Sequence, residues 1–420
     1  SNFPEEQREV FMEYSQGGSY RRQPDTRRPN TRTGSASYSS YASERKRRRS
    51  MRYVTQYDFA LLFLTIGIAL FGVLMIYSAG YYTASLRGDP LFYVKSQVKG
   101  LFLGFLVMIL VSRLDYQVLM HKIGFLHSSL SQISLIFAYI LQIMVLFVGV
   151  ERNGAKRWLD LKVIQFQPSE ISKIATILFL AYAIYKNRRA LDNKWGIGAL
   201  RLLVYIGPLI IIILKENMSS AIIVGMIFFC MCLVASNKKA YFLAVFVALA
   251  AAGVLVILFA DPFRMERIRM WLDVENYGPA FQIRQGLYAI ASGGLFGKGL
   301  GRSMQKLGFI PEAYNDMIFS VICEELGIVG AILVIVVFAA LLWRIVMIAC
   351  HAPDMFGTML CVGVLVQLAV QVLINIAVVT NTIPSTGIPM PLISFGGTSA
   401  TIIMAEIGLV LSVSRQIKQK

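Results

Sequence analysis

Charged residues are scarce in this sequence. Asp, Glu, Lys and Arg make up only 15% of the 420 residues, whereas 56% are apolar and the mean hydropathy is +0.60. Soluble domains carry about 25% charged residues, so an ordinary soluble protein is excluded. The apolar residues form runs of about 18 to 25, which is the length that crosses a membrane as a helix. The sequence therefore predicts an all-α polytopic membrane protein.

Cysteine and histidine are also rare. The five cysteines lie in or beside the apolar runs or on the predicted inner side, so no outer disulfide framework is expected. The three histidines, His121, His127 and His351, map to the cytoplasmic side or its boundary. A general base on the outer face would therefore have to be a carboxylate.

About ten transmembrane helices are predicted from the apolar runs. They lie at residues 59–78, 100–112, 131–150, 169–185, 198–214, 218–235, 240–260, 317–346, 357–379 and 393–414. A large extracytoplasmic loop, residues 261–316, separates the seventh helix from the eighth. Residues 58–415 are thus expected to form one membrane domain.

The first 57 residues differ from the rest of the chain. They are rich in Arg, Ser and Tyr and end in a basic run at residues 45–49. This composition predicts a disordered tail, and without an apolar h-region or cleavage site it is not a signal peptide. The basic run places the N-terminus in the cytoplasm and suits contact with anionic membrane lipid. Ten spans then return the C-terminal end, residues 416–420, to the cytoplasm.

Roughly 15 of the 41 Lys and Arg residues fall on the outer side, which opposes the positive-inside rule. About half of these lie between Asp261 and Asp316. They could bind an anionic ligand, or they could form salt bridges with neighbouring acids such as Glu266 and Glu275. Within this loop, cationic and apolar residues alternate over 264–272, which predicts a short helix on the outer membrane surface.

One acid stands at the mouth of the membrane. Asp316 closes the long loop where the eighth helix begins, and Ser320 and Glu324 follow at intervals of four, so the three share one helix face. Asp316 could be a site residue or only the N-cap of that helix. Glu324 and its neighbour Glu325 could tune Asp316 or pair with Lys173.

Two charges lie where the membrane should reject them. Gln167 and Pro168 open the fourth span, and Glu170 precedes Lys173 by three residues on the same face. A charge at the centre of a membrane costs about 2.5 to 3.5 kcal/mol, so these residues need partners or a cavity. A functional site and a structural ion pair between helices both remain open.

Three outer segments complete the pattern. Lys156 and Arg157 precede Trp158, which suits either an interfacial anchor or a diphosphate site. The glycines of 293–301 follow no strand, so a nucleotide site is rejected, while close backbone approach and simple turn geometry stay open. Residues 381–397 contain three prolines and three glycines and cannot form a regular helix, so they should line a cavity or be buried in protein.

Five segments, 153–158, 167–173, 293–301, 311–327 and 384–397, resemble the signature segments of the SEDS family, the FtsW, RodA and SpoVE group. The resemblance extends from about Thr55 to Arg415. It implies a ten-span glycosyltransferase that polymerises lipid II into peptidoglycan at the outer face of the cytoplasmic membrane. The implied partners are a monofunctional class B penicillin-binding transpeptidase and other divisome proteins, with no nucleic acid.

The resemblance also assigns roles to residues. In the family, the acid that matches Asp316 is essential, and the residues that match Glu170 and Lys173 are sensitive positions, so these three are the expected catalytic residues. Residues 215–220 depart from the common pattern, as do Gly286 and Asn381, which puts ligand roles for those positions in doubt. The expected substrate-binding residues are Lys156, Arg157, Trp158, Gln167, Arg284, Lys298, Lys306, Glu312, Ser394, Gly396 and Gly397.

One carboxylate is chemically sufficient for this reaction. The acceptor hydroxyl must lose a proton, but the lipid diphosphate leaves as an anion and needs no general acid, unlike the alkoxide of glycoside hydrolysis. No protein metal ligand is predicted, although Mg²⁺ or Mn²⁺ could assist the diphosphate. The alternatives are a lipid II flippase, an elongation-type, RodA-like polymerase and a divisome scaffold; the lack of an internal repeat argues against transport.

Overall fold

The computed structural model describes residues 57–122, 128–152, 155–160, 165–191, 197–237, 239–240, 243–244, 247 and 262–417. The predicted tail, residues 1–57, lies outside this set except for Tyr57. Most of the predicted seventh span, 240–260, and the last three residues also lie outside it. The described helices are α1 (Phe59–Ser85), α2 (Phe92–Arg113), α3 (Leu130–Val148), α4 (Pro168–Leu191), α5 (Ile197–Glu216), α6 (Met218–Ala235), α7 (Pro262–Leu272), α8 (Phe281–Gly293), α9 (Ile318–His351), α10 (Met355–Val379) and α11 (Gly397–Arg415).

Eight of the described helices are long and apolar enough to cross a membrane: α1, α2, α3, α5, α6, α9, α10 and α11. The predicted fourth span is also helical, as α4, but it carries Glu170 and Lys173 near its start. Helices are expected here because lipid offers no partners to backbone N–H and C=O groups. The all-α polytopic membrane architecture is confirmed, while the count of ten spans stays a prediction.

A small antiparallel sheet replaces the loop that the sequence predicts between the third and fourth spans. Its strands are β1 (Val150–Arg152), β2 (Ala155–Asp160) and β3 (Gln165–Phe166), in the order β1–β2–β3. These strands are too short for their alternation to be read in the sequence. β2 carries three of the predicted substrate-binding residues, namely Lys156, Arg157 and Trp158.

The predicted outer loop is more regular than expected. The short helix predicted over 264–272 is present as α7, and the unpredicted helix α8 follows it. From α7, the Arg267 Nη1 atom donates to the Ser385 carbonyl and the Trp271 Nε1 atom donates to the Asn381 carbonyl, both at 2.9 Å. Helix α7 is therefore fastened to the irregular segment 381–397, and does not merely lie on lipid.

Helix α9 is broken at Gly327, where φ is 70° and ψ is −168°. The glycine-rich segment 293–299 fills the break. Lys298 and Gly299 donate their backbone N–H groups to the carbonyls of Glu324 and Glu325, both at 2.9 Å. Ile328 in turn donates its N–H to the Gly294 carbonyl at 3.0 Å. The backbone groups freed by the break are thus satisfied, and the glycines permit close approach to the chain's own helix.

Candidate active site

Asp316 lies two residues before α9, and its side chain does not cap the helix. The N-cap residue is Met317, which makes no side-chain capping bond, so the N-cap interpretation of Asp316 is wrong. Two hydrogen bonds hold the loop that carries it. The Asn375 Nδ2 atom donates to the Asp316 carbonyl at 2.8 Å, and Phe395 N donates to the Tyr314 carbonyl at 3.0 Å.

The surroundings of Asp316 make its carboxyl group a weaker acid than usual. Burial and the negative charge of Glu312 raise the pKa of Asp316 to about 6, although the positive charge of Arg267 and nearby backbone N–H groups oppose this shift. The residue remains partly exposed. A base with a pKa near neutrality is well matched to proton abstraction at physiological pH.

Two half-buried arginines lie close to each other, and one of them, Arg267, acts on the charge of Asp316. Burial lowers the pKa of Arg157, and the charge of Arg267 lowers it further. Burial also lowers the pKa of Arg267, while Asp316 counteracts that effect. The Arg157 Nε atom donates to the Glu216 carbonyl at 2.7 Å, and the Lys156 N–H donates to Glu216 Oε2 at 2.9 Å. Guanidinium groups stay charged in proteins, so α7 brings one cation to Asp316 and β2 brings a second cation near the first.

Arg267 is not among the predicted substrate-binding residues. In the sequence it is one of several cations on α7, and nothing distinguishes it from Arg269. The fold distinguishes the two, because Arg267 is half-buried against the irregular segment whereas Arg269 is exposed.

A second polar cluster lies inside the helix bundle. The Lys173 Nζ atom is 2.8 Å from Glu170 Oε1, and both residues are more than nine-tenths buried. Ser399 Oγ donates to Glu170 Oε2 at 2.9 Å. Glu406 of α11 is fully buried and accepts from Gln367 Nε2 at 2.9 and 2.8 Å, with Lys173 and Glu170 close enough to act on its charge. The intramembrane ion pair is present, with a third ionisable group beside it.

Glu406 is not among the site residues predicted from the sequence. The signal was available, because an acid inside a predicted span is a candidate functional residue. Its partner Gln367 could not be identified, since the pair joins α10 to α11 across 39 positions of sequence.

A narrow cleft leads from the irregular segment to this cluster. Its lining includes Gln371, Ser394, Gly396 and Ser399. Ser399 therefore links the cleft to Glu170. Ser394 is buried and accepts from Met390 N at 2.8 Å, so the irregular segment is buried in protein and lines a cavity.

Gly396 and Gly397 connect the irregular segment to α2. Gly396 N donates to Gln97 Oε1 at 2.9 Å. A Cβ atom on Gly100 would lie 2.3 Å from the Gly397 Cα atom, so the two helices meet backbone to backbone there. This packing explains why position 100 is glycine, and a substrate contact at Gly396 or Gly397 stays a prediction.

Glu324 and Glu325 have partners of their own. Lys298 Nζ lies 2.7 Å from Glu324 Oε1, and Lys306 Nζ lies 2.7 Å from Glu325 Oε1. The predicted pairing with Lys173 is therefore wrong. Lys298 keeps a third of its side chain exposed, whereas Lys306 is buried and also donates to Ser78 Oγ of α1 at 2.8 Å. A diphosphate role for either lysine stays a prediction and would require exchange of partners.

The remaining predicted residues lie as follows. Arg284 donates to the Glu275 carbonyl. Glu312 is exposed and lies close enough to raise the pKa of Asp316. Trp158 and Gln167 are half-buried, in β2 and directly before α4. The structure thus brings Asp316 near Glu312 and Arg267, places Arg157 near Arg267, and joins Glu170 and Lys173 to the cleft.

The intramembrane cluster supports a prediction about stability. Two carboxylates share one ammonium group, so the fully ionised cluster has an excess negative charge. Glu406→Gln removes this charge, and the new amide can also donate to Gln367 Oε1, which has no hydrogen-bond partner in the described structure. We expect Glu406→Gln to raise the melting temperature of the purified protein. Glu170→Gln should lower the melting temperature, because it breaks a buried ion pair. The expected loss in the free energy of unfolding is up to about 3 to 5 kcal/mol.

The melting temperatures of both variants are measured in the same detergent. A glycan synthesis assay then shows whether a change in stability is accompanied by a change in activity. A melting temperature that falls as far for Glu406→Gln as for Glu170→Gln would contradict the charge-balance interpretation. Loss of stability without loss of activity in Glu170→Gln would assign the Glu170–Lys173 pair a purely structural role.

Comparison with known proteins identifies the family. The profile of the family described as "Cell cycle protein", which covers FtsW, RodA and SpoVE, matches residues 59–419. The chain is 34% identical to stage V sporulation protein E of Bacillus subtilis over 368 residues, which is 86% of this chain and 98% of that protein. It is 33% identical to the probable peptidoglycan glycosyltransferase FtsW of a Geobacter species over 372 residues, which is 88% of this chain and 99% of the relative.

Solved structures agree with this result. One is a peptidoglycan synthase complex described as coordinating polymerization and crosslinking; its matching chain is 27% identical with a TM-score of 0.72, covering 87% of this chain and 99% of that one. Another is the rod shape determining protein RodA of Thermus thermophilus, which is 26% identical with a TM-score of 0.63, covering 89% of this chain and all of that one. The resemblance carried by the five sequence segments is confirmed, and the chain belongs to the FtsW, RodA and SpoVE family.

Proposed function

We propose that this protein is a peptidoglycan glycosyltransferase that polymerises lipid II at the outer face of the cytoplasmic membrane during cell division, with Asp316 as general base. The observation that carries the proposal is the setting of Asp316: a partly buried carboxyl group with a pKa raised to about 6, beside Arg267. The relatives named as probable peptidoglycan glycosyltransferases support the substrate class.

The reaction needs one proton acceptor and a stabilised leaving group. A sugar hydroxyl of the acceptor attacks the anomeric carbon of the donor while Asp316 takes the hydroxyl proton. The bond between that carbon and the diphosphate oxygen breaks, and its electrons leave with the diphosphate. The proton is released from Asp316 to water before the next turnover.

Arg157 and Arg267 are the best-placed cations for the leaving diphosphate. Their planar guanidinium groups can each donate two parallel hydrogen bonds to phosphate oxygens. Preorganised cations at the place where negative charge develops are an effective form of catalysis. We propose that Lys298 and Lys306, whose charges are already paired with the carboxylates of Glu324 and Glu325, contribute less than these arginines.

A divalent cation could assist at the same place. Asp316 and Glu312 offer carboxylate oxygens, which Mg²⁺ and Mn²⁺ prefer, and substrate phosphates commonly complete such sites. No group of three or more His, Cys, Asp or Glu that could hold a metal occurs among the described residues. A cation at this place would need substrate phosphates as further ligands, and it would add positive charge beside the diphosphate.

The proposed partner is a class B penicillin-binding transpeptidase, together with other divisome proteins. The structural similarity to a peptidoglycan synthase complex that couples polymerization to crosslinking supports this partner. In this proposal the basic N-terminal tail and the C-terminal end lie in the cytoplasm, and Asp316 faces outward.

A lipid II flippase is the second candidate. The buried charges of Glu170, Lys173 and Glu406, with the irregular segment above them, would also suit a translocation path. The location of Asp316 and the two arginines at the outer end of the bundle favours polymerisation.

Glycan synthesis in proteoliposomes tests the proposal. Purified protein with its cognate transpeptidase receives lipid II, and the products are separated by length. We expect polymer from the wild type and from Asp273→Asn, an exposed outer acid that serves as the matched control, but none from Asp316→Ala. Movement of labelled lipid II across the bilayer without polymer, in a folded and partnered preparation, would favour the flippase and overturn the proposal.

A further inference from the structure

Asn375 lies near the outer end of α10 and is 1% exposed. Its Nδ2 atom donates two hydrogen bonds, to the Asp316 carbonyl and to the Ile388 carbonyl, both at 2.8 Å. One side-chain amide thus joins the loop that carries the general base to the irregular segment 381–397.

Neither of the two joined segments is held by regular secondary structure. The segment 384–388 passes beside the reacting group, because a Cβ atom on Gly387 would lie 3.7 Å from Asp316 Oδ2. The Asp316 loop is tied to the irregular segment at one further place, where Phe395 N donates to the Tyr314 carbonyl. The position of the carboxylate relative to the cleft therefore depends on few bonds, and Asn375 makes two of them.

We propose that Asn375 is a positioning residue for Asp316, which fixes the backbone of the general base against the segment that lines the cleft. The inference rests on the proposed function, in which Asp316 takes the proton from the acceptor hydroxyl. A displacement of about 1 Å in a catalytic group can cost about 10²-fold in rate, so a clamp on that backbone has a kinetic effect even without substrate contact.

The chemistry requires asparagine at this position. Among side chains of this length, only the primary amide of asparagine offers two N–H groups on one atom. Leucine has a similar shape but no donor, and an ionised aspartate has only acceptors. The Asn375→Leu variant therefore removes both bonds, and Asn375→Asp removes them while adding a negative charge.

Two kinetic signatures distinguish positioning from simple stabilisation. For Asn375→Leu we expect kcat for lipid II consumption to fall by about 10²-fold with KM unchanged, since the substrate is bound by other groups. The acid limb of the pH profile, which is the pH range where the rate falls as Asp316 becomes protonated, should also move. The charged groups that act on Asp316 in the described structure are Glu312 of its own loop and Arg267 of α7, and the elements facing it from α10 and 384–388 contribute no charge there.

The two variants should shift this limb in opposite directions. With the clamp lost in Asn375→Leu, Asp316 becomes more hydrated, and the limb moves below about pH 6 towards the ordinary pKa of 3.8. Asn375→Asp loses the clamp too, but its added carboxylate repels the ionised Asp316, and we expect this repulsion to outweigh the hydration and move the limb to higher pH. Melting temperatures of both variants separate these shifts from a general loosening of the fold.

The matched control is Thr65→Val. Thr65 of α1 is fully buried and donates to the Leu61 carbonyl at 2.8 Å, so its replacement also removes a buried bond to a backbone carbonyl, but within its own helix. The experiment measures initial rates against lipid II concentration and pH, with melting temperatures, for wild type, Asp316→Asn, Thr65→Val and the two Asn375 variants.

Lower kcat with unchanged KM and opposite pH shifts, alongside normal kinetics in Thr65→Val, would support the inference. Wild-type kcat and pH profile in Asn375→Leu would overturn it, as would losses that merely follow the melting temperature. If the wild type itself makes no polymer, the proposed function fails first. If the wild type is active and Asp316→Asn is not, normal Asn375 variants contradict only the positioning role.

Discussion

Replacement of Asp316 by Asn is expected to lower the rate of glycan-strand formation by about 10² to 10⁴-fold, which is the usual contribution of a general base. The amide matches the carboxylate in shape but cannot accept the proton. The clamp from Asn375 and the bond to Tyr314 contact backbone carbonyls, so they survive the substitution. The variant should therefore fold, reach the membrane and bind lipid II. Rapid polymerisation by a folded Asp316→Asn protein would contradict its role as the base.

The same residue sets a pH dependence. A general base works in its deprotonated form, and the pKa of Asp316 is raised to about 6. The rate should therefore fall as the pH is lowered through about 6 and level off above it. Arg267 opposes the rise of this pKa, so Arg267→Gln should move the acid limb to higher pH. Initial rates of lipid II consumption across this range test the prediction; Asp273→Asn should leave the limb unmoved.

The largest expected loss of stability comes from Gly297→Ala. At φ +76° an alanine is strained, and its Cβ atom would lie 2.1 Å from the Glu325 carbonyl oxygen. Strain of this kind costs about 1 to 3 kcal/mol, and a clash with backbone adds to it, so we expect more than about 4 kcal/mol in total. The Glu325 carbonyl oxygen belongs to the backbone of α9, so it cannot relieve the clash by a rotamer change as a side chain could.

Gly301→Ala is the matched control for this prediction. Gly301 has nearly the same backbone angle, φ +78°, but a Cβ atom there would meet nothing within 4 Å. Gly301→Ala should therefore lose only the stability that backbone strain costs, about 1 to 2 kcal/mol. Denaturation of both variants in one detergent separates the two contributions. Equal losses of stability in the two variants would show that the close approach between residues 293–299 and α9 does not make alanine at position 297 more destabilising.

The sequence was most informative where a residue conflicts with its surroundings. Glu170 and Lys173 lie in an apolar run, and their spacing of three predicts the ion pair that the structure contains. The prolines and glycines of 381–397 exclude a regular helix, and the segment is indeed irregular and buried. Local rules suffice in both cases, because the partner is near in sequence or the constraint concerns the backbone.

Long-range partners could not be predicted in this way. Arg267 meets Ser385 across 118 positions, and Asn375 meets Asp316 across 59. Nothing local marks either residue, because the contacts depend on how α7 and the segments 311–317 and 381–397 pack against one another. The break in α9 was missed for a different reason: Gly327 is one glycine among many in spans, and only the chain that fills the gap shows its role.

The break at Gly327 also brings the length of α9 closer to the thickness of a membrane. An unbroken α9 of 34 residues would be about 51 Å long, far beyond a hydrocarbon layer of about 30 Å. The part after Gly327 is about 36 Å long, which a modest tilt accommodates. The part before it is therefore released from the need to span the bilayer. Hydrophobic mismatch, relieved at one glycine, thus sets the position of Glu324, Glu325 and Asp316 relative to the hydrocarbon layer.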